Sequence, residues 1–477
     1  MIKIFLNSSF IYMIGALSRG VTILLVPLYT RFFSPAEYGI IEIFAVLGSF
    51  VSLTVALEIS QAVARFYHEI LDIKEKISYV STALIFSFLA YMSYLLFSFI
   101  FADYLVILFL DNISYKNIFY FANIAIVTSG LFYFLQNQLK WQMQATDFVI
   151  SGIIQLFSTA GITIYLLAIY NMGLQAVFLG QILGNLLSML WSWYNARENY
   201  YLIFSLKHLH KMLSFSFPLI FSSIAVFVAL YVDRILIREI LGLEKLGIYG
   251  VAYRFASIVG ILLVGVNSSL TPLIYKHYNE DSTPFNISKI FNIFSLCALL
   301  LISCSLLFSK EIIFLFTTEK YYSAMVLITP LIISLFFSNM YVFTPGLSLF
   351  KKTKLIAFIS ILSAFINVIL NYIFIYFLDL YGATIGGMIG SIIIFIIHMK
   401  FSQKYYMIPF DWNRIMFCFF LTCVGGYSMQ IIFDKITMLN ILLKIGYLVL
   451  FGTAINYLLL KTLPFKRIYN IMKEWIK

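Results

Sequence analysis

The chain has 477 residues, of which 62% are hydrophobic and only 11% charged, with a net charge of +11. A soluble globular domain carries roughly 25% charged residues, so the composition excludes an ordinary water-soluble fold and describes a polytopic membrane protein. The long apolar runs show no strand-like alternation, which excludes a barrel and leaves helices to satisfy the backbone in lipid.

A span needs about 20 mostly apolar residues. About fourteen such segments follow one another, at 10–33, 39–64, 79–101, 118–139, 148–170, 173–194, 213–237, 248–271, 287–309, 324–349, 355–378, 382–400, 413–433 and 441–460. Met1 to Gly20 begins like a secretory signal, but it contains Arg19, lacks a small-residue cleavage site and runs on to Phe33; the expectation is an uncleaved first helix. Pro27, Pro218, Pro330 and Pro345 fall within spans and are expected to kink them.

The loops set the orientation. Twenty-one of the 32 Lys and Arg fall on the side of the N-terminus, Arg65, Lys140, Arg197, Lys207 and Lys211 among them, and eight on the opposite side. Both termini are therefore expected in the cytoplasm. The positive charge is then topology signal and attraction to anionic lipid, and it calls for no nucleic acid. The basic, aromatic tail after Pro464 is expected to lie along the membrane surface. Cys297, Cys304, Cys418 and Cys423 all fall in spans without metal-ligand spacing and read as small core residues, with no metal or cofactor expected. His208 and His210 read as part of a solvated loop.

The chain repeats itself at an offset of about 202 to 211 residues. Leu28-Tyr29-Thr30-Arg31 recurs loosely at 230–234, Glu37-Tyr38-Gly39 is echoed by Leu246-Gly247-Ile248-Tyr249-Gly250, His68 matches His277, and Gly173 matches Gly382. These matches predict an all-α fold of two pseudo-symmetric six-helix bundles, 1–212 and 213–400, followed by an extra helix pair and basic tail at 401–477. Parallel repeats of this kind place a substrate between halves that rock against each other.

Full charges inside the spans point to the site, because a charge near the bilayer centre costs about 2.5–3.5 kcal/mol on insertion scales. Helical rise converts position to depth. Arg19 lies roughly 14 Å into the first span, Glu58 roughly 10 Å from the inner face, Arg254 about 9 Å and the Asp233–Arg234 pair about 5 Å below the outer face. The side chain of Arg19 is too short to snorkel from that depth, whereas Glu42 is near enough to an interface to do so. Glu42 and Glu58 are sixteen residues apart, on nearly opposite helix faces, so one lumen receives both only if the helix bends. Two readings stand for Glu58, a pathway acid or the structural partner of Arg19. Two also stand for Asp233 and Arg234, a cavity lining or an outer-rim network with Arg238. Arg31 is a mouth residue or a topology anchor. Asn367 and Asn371, on one helix face, and Gly386, Gly387 and Gly390 read as helix-packing residues.

Guanidinium groups facing a membrane cavity suit anionic, phosphate-bearing substrates. The stretch Arg19 to Gly39, the run Ala64-Arg65-Phe66-Tyr67-His68-Glu69, Asp233-Arg234 followed by Gly247-Ile248-Tyr249, and Asn367 to Asn371 with Tyr381-Gly382-Ala383 together resemble the polysaccharide-biosynthesis flippases. These belong to the multidrug/oligosaccharidyl-lipid/polysaccharide exporter superfamily. The resemblance implies two six-helix lobes around a cationic cavity that carries undecaprenyl-diphosphate-linked oligosaccharide across the bacterial inner membrane, for surface polysaccharide such as the O-antigen of lipopolysaccharide. It further implies Arg19, Arg31, Arg234 and Arg254 as head-group ligands, Glu58 and Asp233 as ion-coupling acids, and a polysaccharide polymerase and chain-length regulator as partners beside membrane lipid.

Three alternatives remain open. Many members of that family have twelve spans, and the extra pair here also suits a peptidoglycan-precursor lipid flippase. A cation-coupled multidrug exporter would favour acidic lumen residues, whereas Arg predominates here. A membrane glycosyltransferase or polymerase needs a sizeable outer loop, and the loops are too short for one; no enzymatic activity is expected.

Overall fold

A computed structural model describes residues 25–460 of the chain. Every regular element among them is helical. Among the described residues, eleven helices are long and apolar enough to cross a membrane. Three of the expected segments are missing from that set for separate reasons. Most of the first, Arg19 included, lies outside the described residues. The eighth is broken in two. The eleventh and twelfth run together as one 51-residue stretch around a left-handed residue, Asp379.

By their contacts the residues divide into two compact units, one ending at Gly250 and the other beginning at Val251. In the first unit α1 (Val26–Phe32) leads to α2 (Pro35–Thr54), α3 (Ile59–Glu69), α4 (Ile73–Ile100), α5 (Ala102–Leu110), α6 (Lys116–Trp141), α7 (Ala145–Tyr170), α8 (Leu174–Ala196) and α9 (Leu206–Leu241), and most of α10 (Leu243–Ala256) follows. In lipid there is no hydrophobic drive to bring apolar helices together, so close packing and small residues must do it. Gly180 and Gly184 on α8 fit against Thr163 and Thr159 of α7, where an added Cβ would overlap the threonine side chains. The end of the unit that carries Lys140 and Arg197 is knitted by a core of Ile59, Val63, Phe66, Tyr79, Phe134, Trp141 and Met212. His208, read from sequence as solvated, is instead half-buried: its ring stacks on Tyr79 at 4.2 Å and its Nδ1 lies 2.9 Å from Ser78 Oγ.

The motif Ser34-Pro35-Ala36-Glu37 folds as a capping box. Ser34 Oγ accepts from the Glu37 amide, Glu37 Oε2 accepts from the Ser34 amide at 2.8 Å, and Pro35 takes a first-turn position where its missing N–H costs nothing. That cap sets the start of α2 against the start of α10. A Cβ on Gly39 would overlap the Leu243 carbonyl, and one on Gly247 the Pro35 carbonyl. Residues 35 and 243 open their helices, and Glu69 and His277 close the second helix of each pair. All these paired positions stand 208 apart, inside the repeat offset read from the sequence.

The second unit continues with α11 (Val259–His277), α12 (Thr283–Phe316), α13 (Ile328–Asn339), the single turn α14 (Gly346–Leu349), α15 (Thr353–Gln403), α16 (Trp412–Ile432) and α17 (Met438–Leu460). α15 is a hairpin: Gly382 lies against Phe374, Gly386 against Leu370 and Asn371, and Gly390 against Asn367. The asparagine amides bond to carbonyls one turn back on their own helix, Asn367 to Ser363 at 3.1 Å and Asn371 to Asn367 at 2.8 Å. Cys418 is fully buried with Leu299, Ile455 and Leu459, where α16 and α17 meet α12. Two ion pairs tie the same helices, Lys310–Asp434 at 2.6 Å and Glu311–Lys444 at 2.5 Å, the latter with Lys444 buried.

The prolines act differently from the expectation. Pro27 and Pro330 sit in first turns and Pro345 just before α14, while of these four Pro218 alone lies inside a helix, α9, which continues unbroken through it. The breaks fall elsewhere. The expected second span divides at 55–58, where Leu57 and Glu58 both adopt left-handed backbone angles, and the eighth divides after Ala256.

Candidate functional site

Leucine and glutamate are good helix formers, so the break before α3 is imposed by tertiary structure. The i→i−4 ladder lapses there into shorter-range bonds, Leu57 to Thr54 at 3.2 Å and Ile59 to Ala56 at 3.0 Å. A left-handed L-residue costs roughly 1–2 kcal/mol. Two contacts hold it: Ile59 is fully buried in the core, and Ser223 Oγ of α9 donates to Glu58 Oε1 at 2.6 Å. The bend turns the Glu58 carboxylate into a cavity of about 120 Å³ shared with Ser52, Ser60, Gln61, Ser87 and Tyr91. Ser87 Oγ is buried there without a hydrogen-bond partner among the described residues.

A second cavity of about 300 Å³ adjoins the first through Ser52, Gly130 and Tyr133. Ser49, Ser129 and Gln181 add polar groups to its wall, which Gly48 and Gly130 complete. Ser129 stands midway along α6. Hydroxyl and amide groups on exposed positions at that depth line a hydrophilic recess in an otherwise greasy helix set. Among the described residues no Lys or Arg lines either cavity, and Glu58 is the charged group.

The arginines take other places. Arg234 is 4% exposed and lies between two carboxylates, with Asp233 Oδ1 3.2 Å from Nη1 and Glu42 Oε2 3.9 Å from Nε. Tyr249 donates its hydroxyl to Asp233, and the guanidinium lies over the rings of Tyr231 and Tyr249. Glu42 therefore does not snorkel; it is buried against Gly250, where a Cβ would overlap its side chain. One turn along α9, Arg238 closes the end of α5, donating to the Leu108 and Phe109 carbonyls at 2.5 and 3.3 Å and pairing with Asp111 at 2.9 Å. Arg31 is exposed in the last turn of α1. Arg254, in the second unit, is half-buried one turn before the break after Ala256, and its carbonyl accepts from Ser257 Oγ at 2.6 Å. Arg19 lies outside the described residues.

Sequence reasoning ranked formal charge and passed over the hydroxyls. Ser49 and Ser52 are three residues apart on α2, and Ser129 and Tyr133 four apart on α6. That spacing, on apolar helices, was the signal available for the recess.

The sequence profile of the polysaccharide biosynthesis proteins matches residues 28–326. The chain belongs to that family. Its fold is that of the larger exporter superfamily. The lipid II flippase MurJ in an inward closed conformation is similar with a TM-score of 0.73 at 16% identity, over 95% of this chain and 98% of that one. An inward-facing multidrug resistance transporter of the MATE family gives 0.63 at 14%, over 84% and 97%. A superfamily transporter from Pyrococcus furiosus gives 0.58 at 14%, over 84% and 95%. No curated protein sequence matches significantly. At these identities the structural likeness speaks for the fold, and two six-helix bundles with a further helix pair is the arrangement the sequence predicts.

Proposed function

We propose that the protein moves a lipid-linked saccharide across a membrane by alternating access. The observation that carries this reading is the hydroxyl- and amide-lined recess at mid-span, reached by Glu58, in a member of the polysaccharide biosynthesis family. Its groups suit sugar hydroxyls, and lipid would have no use for them. The cargo we propose is an undecaprenyl-diphosphate-linked oligosaccharide for surface polysaccharide, carried across a bacterial inner membrane with both termini on the cytoplasmic side. A polymerase and a chain-length regulator are its proposed partners. Arg19, Arg31 and Arg254 are proposed as ligands of the diphosphate. Arg234 would join them only by exchanging Asp233 and Glu42 for phosphate oxygens, a step that protonation of Asp233 would favour. Glu58 is proposed as the second coupling acid, since it is the charged group that reaches the recess.

A second reading, a peptidoglycan-precursor flippase, is favoured by the helix pair α16–α17 and by the fuller coverage of the MurJ likeness. Reconstituted protein in proteoliposomes separates the two, with fluorescent lipid II and a fluorescent undecaprenyl-diphosphate oligosaccharide as the probes. Flipping of the oligosaccharide lipid, lost in R19Q and R254Q at unchanged protein level, is the expected result. Normal flipping by both variants overturns the ligand assignment. Unchanged transport by E58Q at every pH tested removes Glu58 from coupling. Transport of cationic drugs but of neither lipid would assign the protein to drug export, and sugar transfer to an acceptor would make it an enzyme.

A further inference from the structure

Away from the recess, α7 and α8 present an open groove of about 520 Å³ walled by Ile154, Leu187, Leu190, Trp191, Trp193 and Tyr194. Its α8 wall faces outward: Leu190, Trp193 and Tyr194 are all at least half-exposed. The charge lies at one end only. Arg197, the C-cap residue of α8, is exposed and lays its guanidinium 4.2 Å from the centre of the Tyr194 ring. A guanidinium stacked on a ring keeps its N–H edge available to an oxyanion. Glu198, next to it in the chain, and Asp147, in the first turn of α7, make no ion pair with it among the described residues. The chain continues from Arg197 to Lys207 and Lys211 at the start of α9, both exposed, so the same end of the unit is basic.

We propose that this groove is an anionic phospholipid site, with one acyl chain along the Ile154–Trp193 wall and the headgroup phosphate at Arg197. An apolar trough with a cation at a single end matches the charge distribution of an amphiphile. A zwitterionic headgroup gains no net attraction there, whereas phosphatidylglycerol does. One basic residue at an anionic lipid surface amounts to about a fivefold preference.

The groove carries its own reporters, Trp191 and Trp193. Full-length protein with W141F, W412F and W475F, in phosphatidylcholine nanodiscs, is titrated with phospholipid brominated in the acyl chain. The expected result is half-maximal quenching at about fivefold lower mole fraction of brominated phosphatidylglycerol than of brominated phosphatidylcholine. In R197Q the two curves should converge, with helical content unchanged by circular dichroism. Equal quenching by both lipids in the parent protein overturns the proposal, as does a preference that survives R197Q. Displacement of the brominated lipid by undecaprenyl phosphate at lower mole fraction than by unlabelled phosphatidylglycerol also overturns it and gives the groove to an isoprenoid chain.

Discussion

Replacing Gly39 or Gly247 by Ala tests the crossing of α2 and α10. The added Cβ falls inside van der Waals contact of a backbone carbonyl in each case, Leu243 for Gly39 and Pro35 for Gly247. A carbonyl cannot swing aside as a side-chain tip can, so the helices must separate. Overpacking of this kind costs about 1–3 kcal/mol. Both substitutions push on the same crossing, so once one has parted the helices the second meets little resistance, and the pair falls well short of additive. The double variant is expected to lose about as much as the worse single variant, against about 2–6 kcal/mol for a simple sum. Gly161 inside α7, where an added methyl would meet nothing within 4 Å, supplies the control. There Ala should stabilise by about 0.5–1 kcal/mol through helix propensity. The assay is equilibrium unfolding in mixed micelles with SDS. Additive losses, or losses at Gly39 and Gly247 no larger than the effect at Gly161, would refute the close approach.

Three further outcomes follow from the geometry. Leu57→Gly should stabilise the break before α3 by up to about 1 kcal/mol by relieving a left-handed residue, whereas Ser223→Ala should destabilise it by about 1.5–3 kcal/mol through loss of a bond to a carboxylate; unfolding equilibria of the two should move in opposite directions. Lys444→Met strands Glu311 in a mostly buried place and should cost about 3–5 kcal/mol, and Glu311→Gln in the same chain should recover part of it. Asp434, outside the spans, is held below the usual carboxylate range, chiefly by its hydrogen bond from Lys310. A carboxyl with a depressed folded pKa contributes stability above its unfolded value that is lost as pH falls through the folded one. The gap in thermal midpoint between the parent and Asp434→Asn should hold steady from about pH 5 to 7 and close below about pH 4.

The spans were legible because lipid imposes length and apolarity, and the glycines of α15 because close approach of helices needs them. The capping box at Ser34 could be read from its spacing too. The bend at Glu58 could not: Leu57 and Glu58 carry no local signal, and one of the two contacts that hold it comes from Ser223, 165 residues away. Arg234 and Glu42 are likewise distant in sequence, so a buried ion cluster looked like two separate charges, one to bind cargo and one to snorkel. The recess was hidden because serine and tyrosine in a membrane helix are usually internal glue, and only the exposed positions of Ser52, Ser129 and Tyr133 distinguish them.

The crossing of α2 and α10 has a form that neither helix explains alone. Position 39 meets 243 and position 247 meets 35, and each of these four positions has its counterpart 208 residues away among the other three. Residue i of one copy touches residue j of the other while j touches i, the reciprocity of an isologous two-fold interface. Written into a single chain, that reciprocity ties the two copies of the repeat at one crossing, so a change at either glycine is felt by both helices.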